Sequence, residues 1–377
     1  MFLAAKNILI VNQTSGYLVV DIANAYASKY DNIVVMCGTL DVLDIELDEN
    51  IRVSRIPIYR RSSLFSRIFT WVSSTFVIYF KQIFFYRNYY VLYFTNPPIS
   101  YFCSLFSKAR FSIVIYDLYP DILKSIGINH NNWIFNIWGK INSSIFKRAD
   151  NIFTLSVGMR DVISKYVSKT KISTIPIWSH NNIFVHIPKS ENTFLRNNSL
   201  LGKFIVLYSG NLGYTHKVEI IIELANHLKL FPLIQFVIIG DGAKKSLLSN
   251  LIAKYGINNC TLLPWQEREV LPHSFGAADI AIVTLSQEVG QMSVPSKTYD
   301  YMAAGVPLLC IAPKSSELNS IVMKYRNGSC FEPKEIKSMV NFILYLFNTK
   351  NKQISLSHNS LKASLNFTKA NAQKFVV

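Results

Sequence analysis

The chain has 377 residues, half of them hydrophobic and 16% charged, so it is long enough for two domains and too apolar to be disordered. Its five cysteines are widely spaced and form no CxxC pair, which argues against a disulfide framework or a zinc site and indicates reduced core residues in a cytosolic protein. The formal net charge of +16 favours an anionic partner, such as nucleic acid, a phosphate-bearing ligand or an anionic membrane surface.

Short apolar runs alternate with helical segments through the first half of the chain. This is the pattern of parallel strands joined by right-handed crossovers. A helix is predicted over 21–30, and no signal peptide is expected before the first strand. The predicted strands of this half cover 6–11, 32–37, 90–94, 113–116, 151–155 and 171–175.

A long stretch of the first half is free of acidic residues. Between Glu49 and Asp117 there are nine lysines and arginines and no aspartate or glutamate. The apolar run 68–80 (IFTWVSSTFVIYF) lies within it. That run is shorter than the ~20 residues needed to span a bilayer, so we expect a buried or an interfacial helix.

An Asn-, Ser- and Pro-rich stretch then interrupts the pattern, and a second α/β series follows. We predict an N-terminal Rossmann-like domain over 1–180, a linker over 181–203 and a second Rossmann-like domain over 204–360. A C-terminal helix over 361–377 is predicted to pack back on the first domain. The second series has predicted strands at 204–208, 235–239, 259–263, 279–283 and 307–311, a helix at 218–230 and a helical tail.

Glycine-rich turns follow three strands, at the strand ends where parallel sheets bind ligands. Gly16 permits a close backbone approach before a helix. Gly210 and Gly213 bracket a second turn, with Lys217 at the start of the next helix, and a Gly-Asp-Gly turn occupies 240–242. The spacing is not GxGxxG, which argues against NAD, and each turn is also compatible with an ordinary βα connection.

The segment VPSKTYDYMAAGVP carries the strongest signal. Ser296 is predicted to cap a helix whose first turn holds Lys297, an unfavourable place for a cation unless an anion is near. Asp300 comes one turn deeper, where a carboxylate suits ribose hydroxyls, and Gly305 is predicted to end the helix. The pattern indicates a diphosphate site at the helix start; the alternative is a capped surface helix with solvated side chains.

Five motifs in order make residues 204–333 resemble the nucleotide-sugar-binding domain of the family 4 glycosyltransferases. They are SGNLG, FVIIGDG, AADIAIV, PSKTYDYMAAGVPLL and NGSCFEP. Together with DLYPD at 117–121, the PSK variant is similar to the subgroup that builds capsule, O-antigen and colanic-acid-like polysaccharides. The resemblance implies an α/β protein of two Rossmann-like domains facing across a cleft, the GT-B fold class.

The resemblance also implies roles for individual residues. Asp300 falls where an acid binds ribose, and Ser296 and Lys297 fall where donor phosphates sit. Gly16 matches the glycine loop of the acceptor domain and is included among the donor-binding candidates. The other implied donor-binding residues are Gly210, Asn211, Lys217, Asp241, Gly242 and, beside the base, Trp265.

Two positions depart from the family pattern. The first acid of the acid-x7-acid motif is replaced by Met292, with Glu288 nearby but out of register, so the donor-sugar contact that this acid makes in the family has no matching side chain here. Where many members have His before the Asp of the first domain, this chain has Tyr116 before Asp117. No family base can therefore be carried to that position, and Asp117 and Asp121 are only candidates.

The family implies retaining transfer, without a metal or another cofactor, from a nucleotide sugar to a polyprenyl-diphosphate-linked glycan. Asp117, Lys217 and Lys297 are the catalytic candidates, the two lysines by opposing charge on the departing diphosphate. A lipid-linked acceptor indicates a cytoplasmic protein, peripheral at the inner face of the bacterial membrane. The residues expected to face anionic headgroups are Arg60, Arg61, Arg67, Lys81 and Arg87.

Three alternatives stay open. One is another sugar-nucleotide enzyme of the same fold, an epimerase or a phosphorylase. A second is a catalytically dead scaffold, which Met292 suggests. The third is a basic nucleic-acid-binding protein; because the chain has no helix-turn-helix, RRM or zinc pattern, no nucleic-acid partner is expected.

Overall fold

A computed structural model of the chain describes residues 6–42, 45–60, 62–126, 133–179, 184, 187–213, 216–286, 290 and 294–377. The chain divides into two compact units. The first unit comprises Met1–Ile177 and Lys369–Val377, and the second comprises Trp178–Thr368. The carboxyl-terminal end of the chain therefore belongs to the first unit.

The first unit is built on a parallel sheet of seven strands in the order β3-β2-β1-β4-β5-β6-β7. Its central strands are buried on both faces, as in doubly wound α/β domains, whereas the edge strand β3 has no fully buried residue and exposes three of its five. The strands are β1 (Asn7–Val11), β2 (Asn32–Cys37), β3 (Ile51–Arg55), β4 (Tyr90–Phe94), β5 (Phe111–Ile115), β6 (Ile152–Thr154) and β7 (Ile172–Thr174). Thr14–Ser15 and Thr39–Leu40 pair separately.

Four α-helices of the first unit are described. They are α1 (Tyr17–Tyr26), α2 (Leu64–Phe84), α3 (Trp133–Arg148) and α4 (Val157–Ile163). Helix α1 begins earlier than the predicted 21–30, because Gly16 has extended backbone and its carbonyl accepts the first helical hydrogen bonds, from Val19 and Val20. The apolar run 68–80 lies inside α2. Within the described part of the chain, none of the helices combines the length and the hydropathy of a membrane-spanning segment.

The second unit has a parallel sheet of six strands in the order β10-β9-β8-β11-β12-β13. The strands are β8 (Phe204–Ser209), β9 (Ile234–Ile239), β10 (Cys260–Leu263), β11 (Ile280–Thr284), β12 (Leu308–Ile311) and β13 (Gly328–Phe331). The helices are α5 (Thr193–Asn197), α6 (Glu219–His227), α7 (Lys245–Lys254), α8 (Leu271–Gly276), α9 (Lys297–Ala303), α10 (Glu317–Tyr325), α11 (Ile336–Asn348) and α12 (Lys350–Ser364). The strand order turns back at β8, and in doubly wound sheets such a reversal places ligands at the carboxyl ends of the strands.

The predicted strands of both series are present, most with ends shifted by one or two residues. Besides the short pair at 14–15 and 39–40, two strands of the large sheets were not predicted. One is β3, whose IRVSR sequence is more than half exposed. The other is β13, where Gly328 lies so close to β12 that a Cβ would come 2.0 Å from the Leu308 carbonyl oxygen. The segment predicted as a linker, 181–203, includes helix α5 and lies within the second unit. An ion pair between the partly exposed Lys189 and the buried Asp279 ties this segment to the sheet.

Candidate functional site

Two glycine-rich turns of the second unit pack directly on each other. Gly240 and Gly242 have φ values of +151° and +149°, which L side chains rarely adopt. A Cβ on Gly240 would come 2.0 Å from the Gly210 carbonyl oxygen, and one on Gly242 would come 2.7 Å from the Leu212 backbone. The turns after β8 and β9 are thus held backbone to backbone, which places Gly210 and Asn211 beside Asp241 and Gly242.

A polar cluster joins the same edge of the sheet to two further elements. The Lys244 ammonium donates to the His216 carbonyl at 2.7 Å and forms an ion pair with Glu219 at 2.8 Å. The His216 ring lies 3.3 Å from the Thr284 hydroxyl at the end of β11, and burial lowers the pKa of His216. Sequence reasoning missed this cluster, because its members come from the starts of α6 and α7 and the end of β11, which only the folded sheet brings together.

The exposed donor-binding candidates differ in their surroundings. Lys245 forms an ion pair with Asp241 at 2.7 Å, and this hydrogen bond keeps the pKa of Asp241 below its usual range. Asn211 and Lys217 are exposed beside the β8 turn. Trp265 follows β10 and is half exposed, so its indole face is available to a planar ligand group.

Helix α9 begins differently from the prediction. Ser296 already has helical backbone, with φ −56° and ψ −33°, and its side chain makes no capping hydrogen bond. Ser296 therefore holds the predicted position before the first helical residue, Lys297, but the predicted capping hydrogen bond is absent, since a capping side chain needs extended backbone to reach the first free N–H groups. Gly305 has φ +70° and follows the last turn, so the predicted helix end is confirmed.

The two charged residues of α9 contact each other and a residue distant in sequence. The Lys297 ammonium lies 3.4 Å from Asp300 and 5.1 Å from the centroid of the Phe275 ring. The Ser179 hydroxyl donates to the other carboxylate oxygen of Asp300 at 2.7 Å. Asp300 is thus oriented from both sides, and Ser179 is a positioning residue that no motif indicated.

Tyr301 ties α9 to the turn after β8. Its buried hydroxyl accepts a hydrogen bond from the Ser209 backbone N–H at 2.8 Å, and its ring packs on Phe275. This contact brings the start of α9 to the same edge of the sheet as Gly210. The structure therefore gathers Gly210, Asn211, Asp241, Gly242, Ser296, Lys297 and Asp300 around the carboxyl ends of β8 and β9.

The carboxyl edge of the first-unit sheet carries two cavities, of about 190 and 320 Å³, that share Asp117. Gly16 lines the smaller cavity, and a Cβ there would meet nothing within 4 Å, so the fold itself does not require glycine at this position. Arg67 and Tyr119 line the larger one. Although Asp117 keeps solvent-accessible surface, protein surrounds it on most sides, and this desolvation raises its pKa.

Asp121 differs from Asp117 in its environment. Its carboxylate is buried, forms an ion pair with Lys165 and accepts a hydrogen bond from the Tyr166 hydroxyl at 2.7 Å. These contacts tie the turn after β5 to the segment after α4. Of the two acids, Asp117 is therefore the one that faces open cavities.

The basic residues expected at a membrane are of two kinds. Arg60, Arg67 and Arg87 are exposed. Lys81 instead donates to the Ser54 hydroxyl and the Arg55 carbonyl, at 3.0 and 2.8 Å, and so connects helix α2 to strand β3. Arg61, Glu288 and Met292 lie outside the described residues.

Among the residues that the structure does describe, no three His, Cys, Asp or Glu side chains gather as a metal site would require.

Comparison with solved structures identifies the fold class. Anabaena Alr3699/HepE in complex with UDP superposes with a TM-score of 0.73 at 14% identity, over 98% of this chain and 97% of that one. WaaG, a glycosyltransferase involved in lipopolysaccharide biosynthesis, gives a TM-score of 0.70 at 12% identity, over 98% and 99%. The chain therefore has the two-domain α/β fold of the GT-B glycosyltransferases, as the motif resemblance implied.

Sequence comparison then identifies the domain. Residues 190–363 match the family "Glycosyl transferases group 1", which confirms the resemblance and shows that the second unit carries a domain of this family. The putative colanic acid biosynthesis glycosyl transferase WcaI of Escherichia coli strain K12 is 28% identical over 241 residues, 62% of this chain and 59% of WcaI. The probable glycosyltransferase WbjE of Pseudomonas aeruginosa is 26% identical over 56% of this chain and 54% of WbjE. The chain thus matches between half and two thirds of the length of these relatives.

Proposed function

We propose that the protein is a glycosyltransferase that transfers a sugar from a nucleotide-sugar donor to a polyprenyl-diphosphate-linked glycan in cell-surface polysaccharide biosynthesis. The observation that carries this proposal is the convergence of the β8 turn, the β9 turn and the start of α9 at one edge of the second-unit sheet. The group 1 domain, the name of WcaI and the UDP bound to HepE support the same assignment.

The donor is proposed to bind at this edge through its diphosphate and ribose. Lys217 and Lys297 supply positive charge for the diphosphate, and backbone N–H groups of the turns supply donors. Asp300, held by Ser179, accepts from ribose hydroxyls, since its two oxygens keep lone pairs beyond the contacts they already make. Trp265 is proposed to stack on the base.

Catalysis is proposed to rest on stabilising the departing nucleoside diphosphate, with retention and without a metal. Charge builds up on the leaving oxygen as the glycosidic bond to the donor breaks, and a lysine already in place opposes it without reorganisation. Asp117 is proposed as the catalytic residue of the first unit, because it faces two cavities and because desolvation by the surrounding protein raises its pKa.

The acceptor class implies work at the inner face of the cytoplasmic membrane. Exposed Arg60, Arg67 and Arg87 lie in the stretch without acidic residues, so this part of the first unit is attracted to anionic headgroups. We therefore propose an anionic membrane surface as a partner and no nucleic acid.

A donor screen tests the proposal. Melting temperatures are measured with UDP-, GDP- and dTDP-sugars, each over a concentration series, because a ligand that binds only the folded state raises the melting temperature. We expect one nucleotide class to stabilise the protein and then to be consumed when a lipid-linked glycan is added. If no nucleotide sugar stabilises the protein at millimolar concentration, the proposed function is wrong.

A further inference from the structure

Helix α2 presents its polar side to the protein and its apolar side to solvent. Its buried residues are Thr70, Ser74, Ile78 and Gln82, three of them polar. Its exposed residues include five phenylalanines that recur at spacings of four and seven: Phe65, Phe69, Phe76, Phe80 and Phe84, which are 40–78% exposed. A helix on the surface of a globular unit normally shows the opposite arrangement.

Hydrogen bonds hold α2 in this orientation. The Gln13 amide donates to the Ser74 hydroxyl and to the Thr70 carbonyl, at 2.5 and 3.0 Å. The Tyr93 hydroxyl donates to the Gln82 side chain at 2.6 Å, on the buried side of the helix. Rotating α2 to bury the phenylalanines would break these bonds inside the unit, so the outward stripe is a stable feature of the fold.

The exposed apolar surface extends beyond α2. Within the stripe, ring contacts join Phe65 to Phe69 in the first part and Phe76, Phe80 and Phe84 in the second, with centroid separations of 4.6 Å between Phe76 and Phe80 and 6.0 Å between Phe80 and Phe84, and exposed Val72 lies between the two groups in sequence. Next to it, Tyr79 contacts Phe106, which is 69% exposed. Monomeric proteins rarely leave so large a contiguous apolar patch in water, and such patches commonly mark a docking surface.

The charges around the stripe indicate what covers it. Arg60 and Arg67 are exposed near its amino-terminal end, and Arg87 and Lys108 are exposed near its carboxyl-terminal end. No acidic residue occurs in this part of the sequence. An apolar centre between cationic ends matches a bilayer with anionic headgroups, whereas two copies facing each other would bring like charges together.

We propose that α2 lies at the boundary between headgroups and acyl chains of an anionic bilayer, with its five exposed phenylalanines immersed in the apolar layer. This inference specifies how the protein contacts the membrane that the proposed function names as a partner. It rests on the proposed function for the choice of a bilayer as that partner. Membrane binding through buried phenylalanines differs from electrostatic attraction by arginines alone, because burial of apolar surface is not screened by salt. Attachment should therefore persist where purely electrostatic binding is lost.

The first experiment removes apolar surface from two matched places. The variant Phe76→Ser/Phe80→Ser changes the stripe, and Leu230→Ser/Leu365→Ser removes residues that are 85% and 73% exposed on the second unit. Cosedimentation uses phosphatidylglycerol-containing and pure phosphatidylcholine vesicles at low and high salt. We expect salt-resistant binding of the wild type to anionic vesicles, a loss of at least about tenfold in the stripe variant and no change in the control.

A second experiment reads insertion directly. On a Cys260→Ser background, a polarity-sensitive dye is attached to Phe80→Cys or to Leu230→Cys; the other four cysteines are buried. Adding anionic vesicles should shift the emission of the Phe80→Cys label to shorter wavelength and leave that of the Leu230→Cys label unchanged. Equal responses at the two positions would overturn the inference.

Two further outcomes would also overturn it. One is vesicle binding by the stripe variant at wild-type strength. The other is a wild-type dimer in solution that becomes monomeric in the stripe variant without a change in vesicle binding, since a second copy would then cover the face. Donor-induced stabilisation, measured on the same variants, separates the two proposals: if no donor binds while vesicle binding stays intact, the proposed function fails and the docking surface stands.

Discussion

At the residue scale, Lys297 lies between an acid and an aromatic ring. Its ammonium is close to Asp300 and above Phe275, and about a third of the side chain is exposed. A cation in this position stabilises Asp300 in the free protein and is available to a diphosphate when one binds. Unfolding of the donor-free protein reports the first role, and donor turnover reports the second.

Lys297→Ala is expected to lower kcat by roughly 10²–10³, about 2.7–4 kcal/mol of transition-state stabilisation, by analogy with the loss of one oxyanion donor. The measurement is donor turnover with circular dichroism as a check on folding. Lys324→Ala is the matched control, because Lys324 also lies over an aromatic ring, 5.0 Å from the Tyr325 centroid, on α10. Wild-type turnover in Lys297→Ala would refute the phosphate assignment.

Asp117 provides a pH-dependent prediction at the same scale. Desolvation raises the pKa of Asp117 in the folded state. Between the unfolded-state pKa and this raised pKa, the folded protein keeps the proton that the unfolded chain has released. The contribution of Asp117 to stability therefore falls as pH rises through this range. Asp117→Asn removes the cost of ionisation. We expect its melting temperature to exceed that of the wild type at neutral pH, with a difference that disappears in acid, and its transfer activity to fall. A difference that does not vary with pH would contradict this reasoning.

At the scale of elements, the proposed donor site depends on two turns that touch through their backbones. Gly242→Ala combines a disfavoured φ of +149° with a Cβ only 2.7 Å from Leu212. We expect it to cost more than ~3 kcal/mol of unfolding free energy and to abolish stabilisation by donor. Gly256→Ala is the control, since Gly256 also has positive φ, +57°, but a Cβ there meets nothing within 4 Å; it should cost only ~1–2 kcal/mol. Equal losses in urea denaturation would show that the turn contact is unimportant.

At the scale of the whole molecule, the last residues of the chain complete the first unit. Phe375 is 1% exposed, its ring packs on Phe153 at 5.1 Å, and its carbonyl accepts a hydrogen bond from the Tyr26 hydroxyl. Strands and helices near both ends of the sequence therefore share one core. Truncation of this segment would expose the face of α1 against which it packs.

Phe375→Ala is expected to destabilise the protein by ~3–5 kcal/mol, the usual cost of deleting a buried phenyl ring. Phe85→Ala is the matched control, because Phe85 is 74% exposed and its removal opens no cavity. Denaturant unfolding followed by circular dichroism compares the two. Similar, small losses would mean that the carboxyl-terminal segment contributes little to the first unit.

Local patterns in the sequence were sufficient for all strands of the two large sheets except β3 and β13, for the glycine turns and for the order of the motifs at the proposed donor site. Buried parallel strands appear in the sequence as apolar runs, and turns that need positive φ contain glycine. Both features can therefore be predicted from residues adjacent in sequence. Only the tertiary structure decided that Ser179 orients Asp300, that Tyr301 joins α9 to β8, and that α2 turns its phenylalanines outward. The periodicity of α2 shows that it has two faces, but which face is buried depends on partners such as Gln13 and Tyr93, which only the folded chain brings beside it.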